Sequence, residues 1–256
     1  MKILAINSSH RGEHGFTQVL IDRIKMGAVE NGAQFETIVL AEHKINQCLG
    51  CDICHTYRSY LKCVYEDQDD AKSIFQKMRE ADLIIYATPV YIFNMSGLLK
   101  KFLERFNSIG DIYKLQVSKA GLFFHHIDKA ICSKPFVLLT TCGNIEDETS
   151  KSLVIYFKTL SKFTDAPMVG KLVRNASFLL ENKSIEELPV KQFILDAFQG
   201  VGRDLALKGK VSKKQQRMAN SDAVKIPLLM NHLMKIRPLK VKLLAEGLKR
   251  GDIQFK

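Results

Sequence analysis

Residues 2–26 read KILAINSSHRGEHGFTQVLIDRIKM, and their hydrophobic pattern changes twice. Residues 3–6 are a short apolar run, which is typical of a β-strand that is buried on both faces. A loop of small and polar residues follows, and after position 17 apolar residues recur at helical spacing. The residues expected on one helical face are Val19, Leu20, Ile24 and Met26. The stretch therefore predicts a strand, a loop and a helix, and the helix dipole favours an anion at that helix N-terminus.

Residues 7–17, here called the first loop, lack two common phosphate-binding motifs. They contain neither G-x-x-x-x-G-K-[ST] nor G-x-G-x-x-G, which excludes a nucleoside-triphosphate loop and a dinucleotide fingerprint. What remains is a hydroxyl-rich loop suited to a terminal monophosphate, with Ser9 and Thr17 as hydroxyl donors and Arg11 as the charged clamp. An ordinary polar turn between a strand and a helix is the alternative that this segment leaves open.

The composition is that of a globular protein, with 46% hydrophobic and 25% charged residues in a chain of 256. A chain of this length can bury one good-sized core. It contains no apolar run of membrane-spanning length and no basic-then-apolar signal peptide, so we expect no membrane span and a cytoplasmic location. Six cysteines in such a protein favour metal or redox chemistry over structural disulfides.

The net charge of +11 is concentrated at the C-terminal end of the chain. Residues 201–256 carry a net charge of +10, whereas residues 1–200 carry +1. A balanced body with a basic tail argues against a nucleic-acid-binding function for the whole protein. We therefore expect a domain at residues 1–207 and a basic helical extension at residues 208–256.

Within the basic extension, residues 208–217 have the composition of a solvated linker. Residues 226–236 and 239–250 are rich in leucine and methionine and predict two short helices, separated near Pro238. We expect these helices to pack on the body or on a second subunit. A docking surface for an acidic redox partner or for a membrane face is the alternative.

Strand-like and helix-like segments alternate along the body of the chain. Further strands are expected at residues 34–40, 82–87, 136–140 and 169–173, and helices at 69–79, 97–106, 146–162 and 189–207. Residues 112–117 predict a loop or a short helix, and residues 121–124 a strand. This alternation predicts a parallel sheet that is covered by helices on both faces, with ligands bound beyond the carboxyl ends of its strands.

Residues 87–97 read ATPVYIFNMSG and precede the helical residues LLKKF. This second loop, residues 88–96, resembles a flavin-binding loop of the flavodoxin-like NAD(P)H-dependent FMN reductases. The first loop is similar to the phosphate loop of that family, and residues 140–145, the third loop, are similar to its third flavin loop. The resemblance covers about residues 1–175. It implies a flavodoxin-like α/β fold, a doubly wound five-stranded parallel sheet in the order 2-1-3-4-5.

The resemblance also implies which residues hold the cofactor FMN. They are Ser9, Arg11, Gly15, Phe16, Thr17, Pro89, Val90, Tyr91, Ile92, Phe93, Asn94, Thr141, Cys142, Gly143 and Asn144. The chain departs from the family pattern at His10, where proline is common, and at Phe16, where asparagine is common. Because the asparagine is missing, more of the phosphate binding falls to Ser9, Arg11, Thr17 and backbone amides.

Four cysteines follow the spacing Cys48-x2-Cys51-x2-Cys54-x8-Cys63. This pattern resembles the compact cysteine motif of the iron–sulfur flavoproteins, a branch of the same group, and implies that the four thiolates hold a 4Fe–4S cluster beside FMN. The last gap is longer than is usual in that branch, so Cys63 is the least typical ligand. Redox-active thiols without metal and a structural zinc site remain alternatives.

The resemblance implies an FMN-dependent oxidoreductase that passes electrons from NADH or NADPH to a quinone, flavin, nitro compound or protein acceptor. The cofactor carries the chemistry, so we single out no catalytic side chain. The alternative is an iron–sulfur flavoprotein that transfers electrons between a ferredoxin-like donor and an acceptor. A flavin-free regulatory or interaction protein is a third interpretation. A homodimer or a higher homo-oligomer is also implied.

Overall fold

The structure is a computed structural model, and it describes residues 1–180, 189–222 and 236–249. The β-strands are β1 (Lys2–Asn7), β2 (Gln34–Val39), β3 (Leu83–Pro89), β4 (Gly110–Val117), β5 (Phe123–Ile127), β6 (Phe136–Thr141) and β7 (Met168–Arg174). The α-helices are α1 (Phe16–Val29), α2 (Ala71–Glu80), α3 (Gly97–Glu104), α4 (Lys129–Cys132), α5 (Glu148–Thr164), α6 (Pro189–Lys208), α7 (Lys213–Ala219) and α8 (Arg237–Lys249).

Five parallel strands form the main sheet, in the order β2-β1-β3-β6-β7. Counted among the strands of this sheet alone, the order is 2-1-3-4-5, so the predicted flavodoxin-like topology is confirmed. Every residue of β3 and β6 is buried, as expected for strands covered by helices on both faces. Asn7 pairs with Ala87 and Thr88 pairs with Thr140, so β1, β3 and β6 end at the same edge of the sheet.

A separate two-stranded antiparallel sheet, β4–β5, lies between α3 and α4 in the chain. The prediction of a loop or short helix at residues 112–117 was therefore wrong, whereas a strand near residues 121–124 is confirmed as β5. Tyr113, Leu115 and Val117 of β4 alternate with polar residues, as in a strand, but all three are exposed, so this strand does not contribute them to the core. Gly121 adopts a positive φ of 76°, which turns the chain between the two strands.

Helices α1 and α6 pack with their backbones in close approach. The buried residues of α1 include Leu20, Ile21 and Ile24, while Met26 is 43% exposed, so the expected inward position of Met26 was wrong. A Cβ atom added to Gly27 would lie 1.9 Å from the carbonyl oxygen of Gln199 on α6. Glycine is therefore required at this crossing, and the buried stripe of α1 follows the position of α6.

The crossing is nearly symmetric, because α6 also presents a glycine to α1. A Cβ atom on Gly202 would lie 1.9 Å from the carbonyl oxygen of Ile24. No side-chain movement relieves either overlap, since both neighbouring atoms belong to the backbone. The two helices therefore have to separate if either glycine gains a side chain.

Residues 208–217 do not form the solvated linker that was expected, because α7 packs along the open edge of β7. Gln216 Oε1 accepts a hydrogen bond from the Lys171 amide at 2.7 Å, and Asn220 Oδ1 accepts one from the Val173 amide at 2.9 Å. Asn220 Nδ2 donates to the Lys171 carbonyl at 2.9 Å. These side-chain amides occupy the edge groups that a sixth strand would use, which protects the sheet from pairing with another chain.

The chain divides into two compact units, Met1–Ser221 and Asp222–Lys256. In the second unit α8 overlaps the helix predicted at residues 239–250, while the helix predicted at 226–236 lies outside the described residues except for its last position. The domain boundary expected after residue 207 stays a prediction. Among the described helices, none combines the length and the apolar character needed to cross a membrane.

The α1–α6 crossing predicts that Gly27→Ala and Gly202→Ala each lower the free energy of unfolding by about 2 kcal/mol, despite the higher helix propensity of alanine. Urea denaturation of the purified variants measures this. Gly97→Ala is the matched control, because a Cβ atom at Gly97 meets no atom within 4 Å. We expect this control to lose no stability. Stability equal to wild type in both crossing variants would contradict the close approach.

Candidate functional site

The three loops singled out in the sequence are joined by hydrogen bonds at one edge of the sheet. The amide and the hydroxyl of Ser8 both donate to the Ala87 carbonyl at 2.9 Å, which ties the first loop to β3. The hydroxyls of Thr17 and Thr141 are 2.9 Å apart, and the Val90 amide donates to the Thr141 carbonyl at 2.8 Å. The convergence that the parallel sheet predicts is therefore present.

Asn7, at the carboxyl end of β1, organises the first loop. Its Oδ1 accepts from the Ser9 amide at 2.9 Å, and its Nδ2 donates to Gln18 Oε1 on α1 at 2.8 Å. The Ser9 hydroxyl in turn accepts from the Arg11 amide at 3.2 Å. Sequence reasoning did not single out Asn7, although a fully buried asparagine at the end of an apolar strand is a signal of local polar structure.

The start of α1 lacks a side-chain cap, and Gly15 occupies the N-cap position. A Cβ atom on Gly15 would lie 2.5 Å from the Ser9 hydroxyl, so only glycine allows Ser9 to lie against the helix end. The first amides of the helix are the groups that a phosphate binds, and the arrangement fits the phosphate of FMN.

Arg11 and Phe16 form a cation–π pair beside this helix end. The guanidinium carbon of Arg11 is 5.0 Å from the centre of the Phe16 ring. The aromatic ring at the position where the family commonly has asparagine therefore orients the cation of the first loop.

The second loop ends in a tight turn with an exposed apolar tip. Tyr91 and Asn94 exchange both backbone hydrogen bonds, at 2.9 and 3.1 Å. Between them Ile92 and Phe93 adopt positive φ values of 45° and 63°, which are unusual for residues with bulky side chains. The Ser152 hydroxyl donates to the Phe93 carbonyl, a contact from α5 that the sequence did not indicate. Ile92 is 89% and Phe93 is 62% exposed, so neither is a core residue.

The base of the second loop is rigid, and Tyr91 in its turn lies beside the first loop. The Thr88 hydroxyl accepts from the Ser96 amide at 3.0 Å, and the Ser96 hydroxyl caps α3 by accepting from the Leu99 amide at 3.2 Å. The centres of the His10 and Tyr91 rings are 5.7 Å apart. The second loop is therefore fixed at both ends relative to the sheet edge.

The third loop is fastened to the segment that follows β7. The Cys142 amide donates to the Arg174 carbonyl at 2.8 Å, and the Cys142 carbonyl accepts from the Ser177 amide at 2.9 Å. The Cys142 side chain is only 4% exposed, and burial raises the pKa of its thiol. Gly143 and Asn144, by contrast, are exposed beyond the sheet edge.

The predicted FMN residues divide by exposure. The buried ones, which fix the loops, are Ser9, Gly15, Thr17, Pro89, Thr141 and Cys142. Those exposed or half-exposed, which are available to a ligand, are Arg11, Phe16, Val90, Tyr91, Ile92, Phe93, Asn94, Gly143 and Asn144.

The four clustered cysteines line one cavity. Cys48, Cys51, Cys54 and Cys63 share its wall with Arg105 and Asn107 from the turn after α3. Burial raises the pKa of the Cys54 thiol, and the negative charge that the other three thiols can carry raises it further. This cavity is called the thiol pocket below.

No three side chains of histidine, cysteine, aspartate or glutamate in the described part of the chain converge on a point that would hold a single metal ion. A four-iron cluster is wider than one ion, so its thiolate ligands surround a volume instead of converging on a point. Four thiols around one cavity are the donor set that such a cluster uses, and the donor chemistry of the thiol pocket fits it. A tetrahedral zinc site would require a closer arrangement of the sulfur atoms.

A buried ion pair supports the wall of the thiol pocket. Arg105 is 2% exposed and pairs with Asp69, and it also donates to the Asn46 carbonyl at 3.1 Å. Its guanidinium carbon is 5.7 Å from the centre of the Tyr65 ring. The helical pattern of residues 97–106 gives no indication of this role, because a basic residue at a helix end is ordinarily solvated.

The sequence profile of the NADPH-dependent FMN reductases matches residues 1–144, more than half of the chain. The chain belongs to this family. An iron–sulfur flavoprotein of Archaeoglobus fulgidus is 35% identical to it over 105 residues, and one of Methanocaldococcus jannaschii is 37% identical over 105 residues. These alignments cover 41% of this chain and 48% and 51% of the two relatives, so the chain spans about half the length of the relatives it matches.

Two solved structures of low sequence identity to this chain share its fold. An FMN-dependent NADH-azoreductase of Bacillus anthracis in complex with FMN has a TM-score of 0.59 at 14% identity, over 80% of this chain and 100% of that one. A flavone reductase has a TM-score of 0.54 at 20% identity, over 80% of this chain and 62% of that one. Likeness at this level of identity establishes the α/β fold alone.

The environments of the cysteines predict a graded reactivity of the ligand-free protein at neutral pH. Burial raises the pKa of the Cys132 and Cys142 thiols, so the reactive thiolate fraction falls and we expect alkylation more than about tenfold slower than at exposed Cys51. Timed labelling with iodoacetamide followed by mass spectrometry measures each rate. In denaturant the six rates should converge, whereas fast labelling of native Cys142 would contradict its burial.

Proposed function

We propose that this chain is an FMN-dependent NAD(P)H oxidoreductase whose flavin site is the sheet edge formed by the three loops. The observation that carries the proposal is the set of hydrogen bonds joining those loops, Ser8 to Ala87, Val90 to Thr141 and Thr17 to Thr141. FMN, when bound, supplies the acceptance of electrons from a nicotinamide and their delivery to an acceptor. The chain itself therefore has to bind the flavin, orient it and shield it.

The first loop would hold the phosphate. The uncapped start of α1 offers backbone amides, and the Arg11 guanidinium beside Phe16 supplies the positive charge. Because the Thr17 hydroxyl bonds to the Thr141 hydroxyl, it anchors the first loop to β6. The Ser9 hydroxyl packs against Gly15 at the same helix start.

The second and third loops would hold the flavin ring. Tyr91 and Phe93 are exposed aromatic side chains on a turn that is fixed at its base, which suits a flat ring. Asn94, Gly143 and Asn144 are exposed and offer polar groups to the edge of that ring. The electron acceptor, whether quinone, flavin, nitro compound or protein, stays a prediction.

We also propose that the thiol pocket holds a 4Fe–4S cluster, which would make the chain an electron-transfer iron–sulfur flavoprotein. Two observations favour this second function: four thiols line one cavity, and relatives that match the chain are named iron–sulfur flavoproteins. Redox-active thiols without metal are the alternative.

A homodimer is the assembly that we infer for this chain. The β4–β5 hairpin exposes several large apolar side chains, a feature that marks interaction surfaces. They are Ile112, Tyr113, Leu115, Val117 and Phe123, which are 42 to 69% exposed. The expected cytoplasmic location and the expected absence of nucleic-acid binding stay predictions.

Arg11→Gln is expected to weaken FMN binding about 10- to 100-fold, because a hydrogen bond to a charged group contributes about 1.5–3 kcal/mol. Fluorescence titration of the flavin measures the affinity. Riboflavin, which lacks the phosphate, is the matched control ligand, and its affinity should change less than about twofold. Equal weakening for both ligands would show that Arg11 acts on the ring and not on the phosphate.

The visible spectrum of protein purified without oxygen is expected to contain flavin bands and a broad cluster absorption. NADH or NADPH added without oxygen should bleach the flavin bands if the chain accepts electrons from a nicotinamide. Cys48→Ser should remove the broad absorption and leave the flavin bands. A protein that stays colourless with excess FMN would overturn the proposed flavin site.

A further inference from the structure

Asn107 lines the thiol pocket and contacts the segment of residues 48–55, which carries three of the four cysteines. Its side-chain Nδ2 donates to Cys48 Sγ at 3.6 Å. Its backbone carbonyl accepts from Cys54 Sγ at 3.8 Å and lies 3.1 Å from His55 Nε2. One residue thus meets two of the four thiols and the histidine beside them, and it does so across more than fifty positions of sequence.

The segment that Asn107 contacts is also held on its other side. His55 Nδ1 lies 3.5 Å from Asp52 Oδ1, and the Tyr113 hydroxyl on β4 donates to the His55 carbonyl at 2.8 Å. Asp52 adopts a positive φ of 54° at the start of this short turn. These contacts hold residues 52–55, a stretch that includes Cys54.

The turn that carries Asn107 is itself anchored in the core. Arg105, two residues earlier, is buried in its ion pair with Asp69. The Ser108 hydroxyl donates to the Arg105 carbonyl at 2.8 Å, which closes the turn. The backbone that carries Asn107 is therefore fixed relative to the core, which limits the positions that its side-chain amide can reach.

We propose that Asn107 is a positioning residue of the thiol pocket, whose side-chain amide orients the Cys48 sulfur and stabilises negative charge on it. The bond from the Asn107 side-chain amide to Cys48 differs in its chemistry from the bond that Cys54 donates to the Asn107 carbonyl. When a thiol becomes a metal ligand it releases its proton, so Cys54 can no longer donate to the Asn107 carbonyl. The bond from the Asn107 amide to Cys48 remains, and it strengthens because the acceptor is then a thiolate.

This arrangement has a consequence for a metal cluster, and that part of the proposal depends on the cluster proposed above. An N–H group directed at a ligand sulfur withdraws electron density and favours the more negative, reduced state, which raises the reduction potential. Partners of metal ligands also contribute to retention, and their loss typically lowers metal affinity 10- to 100-fold. Asn107 should therefore control both the potential and the retention of the cluster.

The first test uses the metal-free protein and is independent of the cluster. Asn107→Asp keeps the size of the side chain but removes its N–H donors, and Asn107→Ala removes the side chain. Both leave the backbone carbonyl in place. At about pH 10, above the ordinary pKa of a thiol, iodoacetamide should label Cys48 about threefold faster or more in Asn107→Ala, because the sulfur has lost its hydrogen bond. The increase should be smaller in Asn107→Asp, because the new carboxylate disfavours the thiolate. The rate at Cys54 should change less than about twofold.

Val64→Ala is the control variant, since Val64 lines the same pocket and its apolar side chain has no hydrogen-bonding group. Its labelling rates should equal those of wild type. An unchanged Cys48 rate in both Asn107 variants would overturn the proposal. Circular dichroism of each variant identifies any loss of fold, and Asn107→Asp decides if the alanine variant unfolds.

The second test uses protein reconstituted without oxygen from ferrous iron and sulfide. We expect Asn107→Ala to have a lower reduction potential than wild type and Asn107→Asp the lowest, with Val64→Ala unchanged. Release of iron to a ferrous chelator should be about tenfold faster in both Asn107 variants. Potentials equal to wild type would overturn the electronic role of Asn107. Failure of the wild-type protein to take up iron would refute the cluster instead, and the labelling rates would then decide the positioning role alone.

Discussion

The hydrogen bonds between the carboxyl ends of β1, β3 and β6 are the constraint on which the rest of the site depends. Parallel strands in register bring their loops to one edge, but adjacency alone leaves loops free to move apart. The Ser8–Ala87 and Val90–Thr141 bonds remove that freedom, because each joins the loop of one strand to the end of the next. An edge built in this way keeps its shape before any ligand is bound, which lowers the entropy cost of binding.

Helix α3 connects this edge to the thiol pocket. The helix begins where the second loop ends and is followed by the turn that carries Arg105 and Asn107. It has eight residues, so its length is on the order of 12 Å at 1.5 Å per residue. Ser96 fixes the first end through its cap and Arg105 fixes the other through its buried ion pair. A single rigid element therefore relates the two candidate sites to each other.

Side-chain amides complete the structure where backbone pairing stops. Asn7 shapes the first loop, Gln216 and Asn220 cover the free edge of β7, and Asn107 meets Cys48. An amide side chain carries a donor and an acceptor in a fixed geometry, as a peptide group does. It can therefore replace a missing strand or hold a sulfur without adding charge to the interior.

The periodicity of the sequence was sufficient to predict the central strands, the main helices and the loops that meet at the edge of the sheet, whereas the sheet order followed from the resemblance to the FMN reductases. The strands, helices and loops depend on neighbouring residues and on the geometry of parallel sheets, both of which are present in the local pattern. Strand β4 and helix α7 were missed because their structure depends on contacts with residues outside the local segment. Strand β4 pairs only with β5 in the described structure, and α7 is stabilised by the edge of β7.

The sequence by itself determined the family, the fold and the residue types available for a flavin and for thiol chemistry. Only the tertiary structure decided which of those residues are buried supports and which are exposed, and it alone identified Asn7, Arg105, Asn107 and Ser152 as their partners. Contacts such as that of Asn107 with Cys48 join positions 59 residues apart. No local period encodes such a pair, since the folded sheet and helices bring the two residues together.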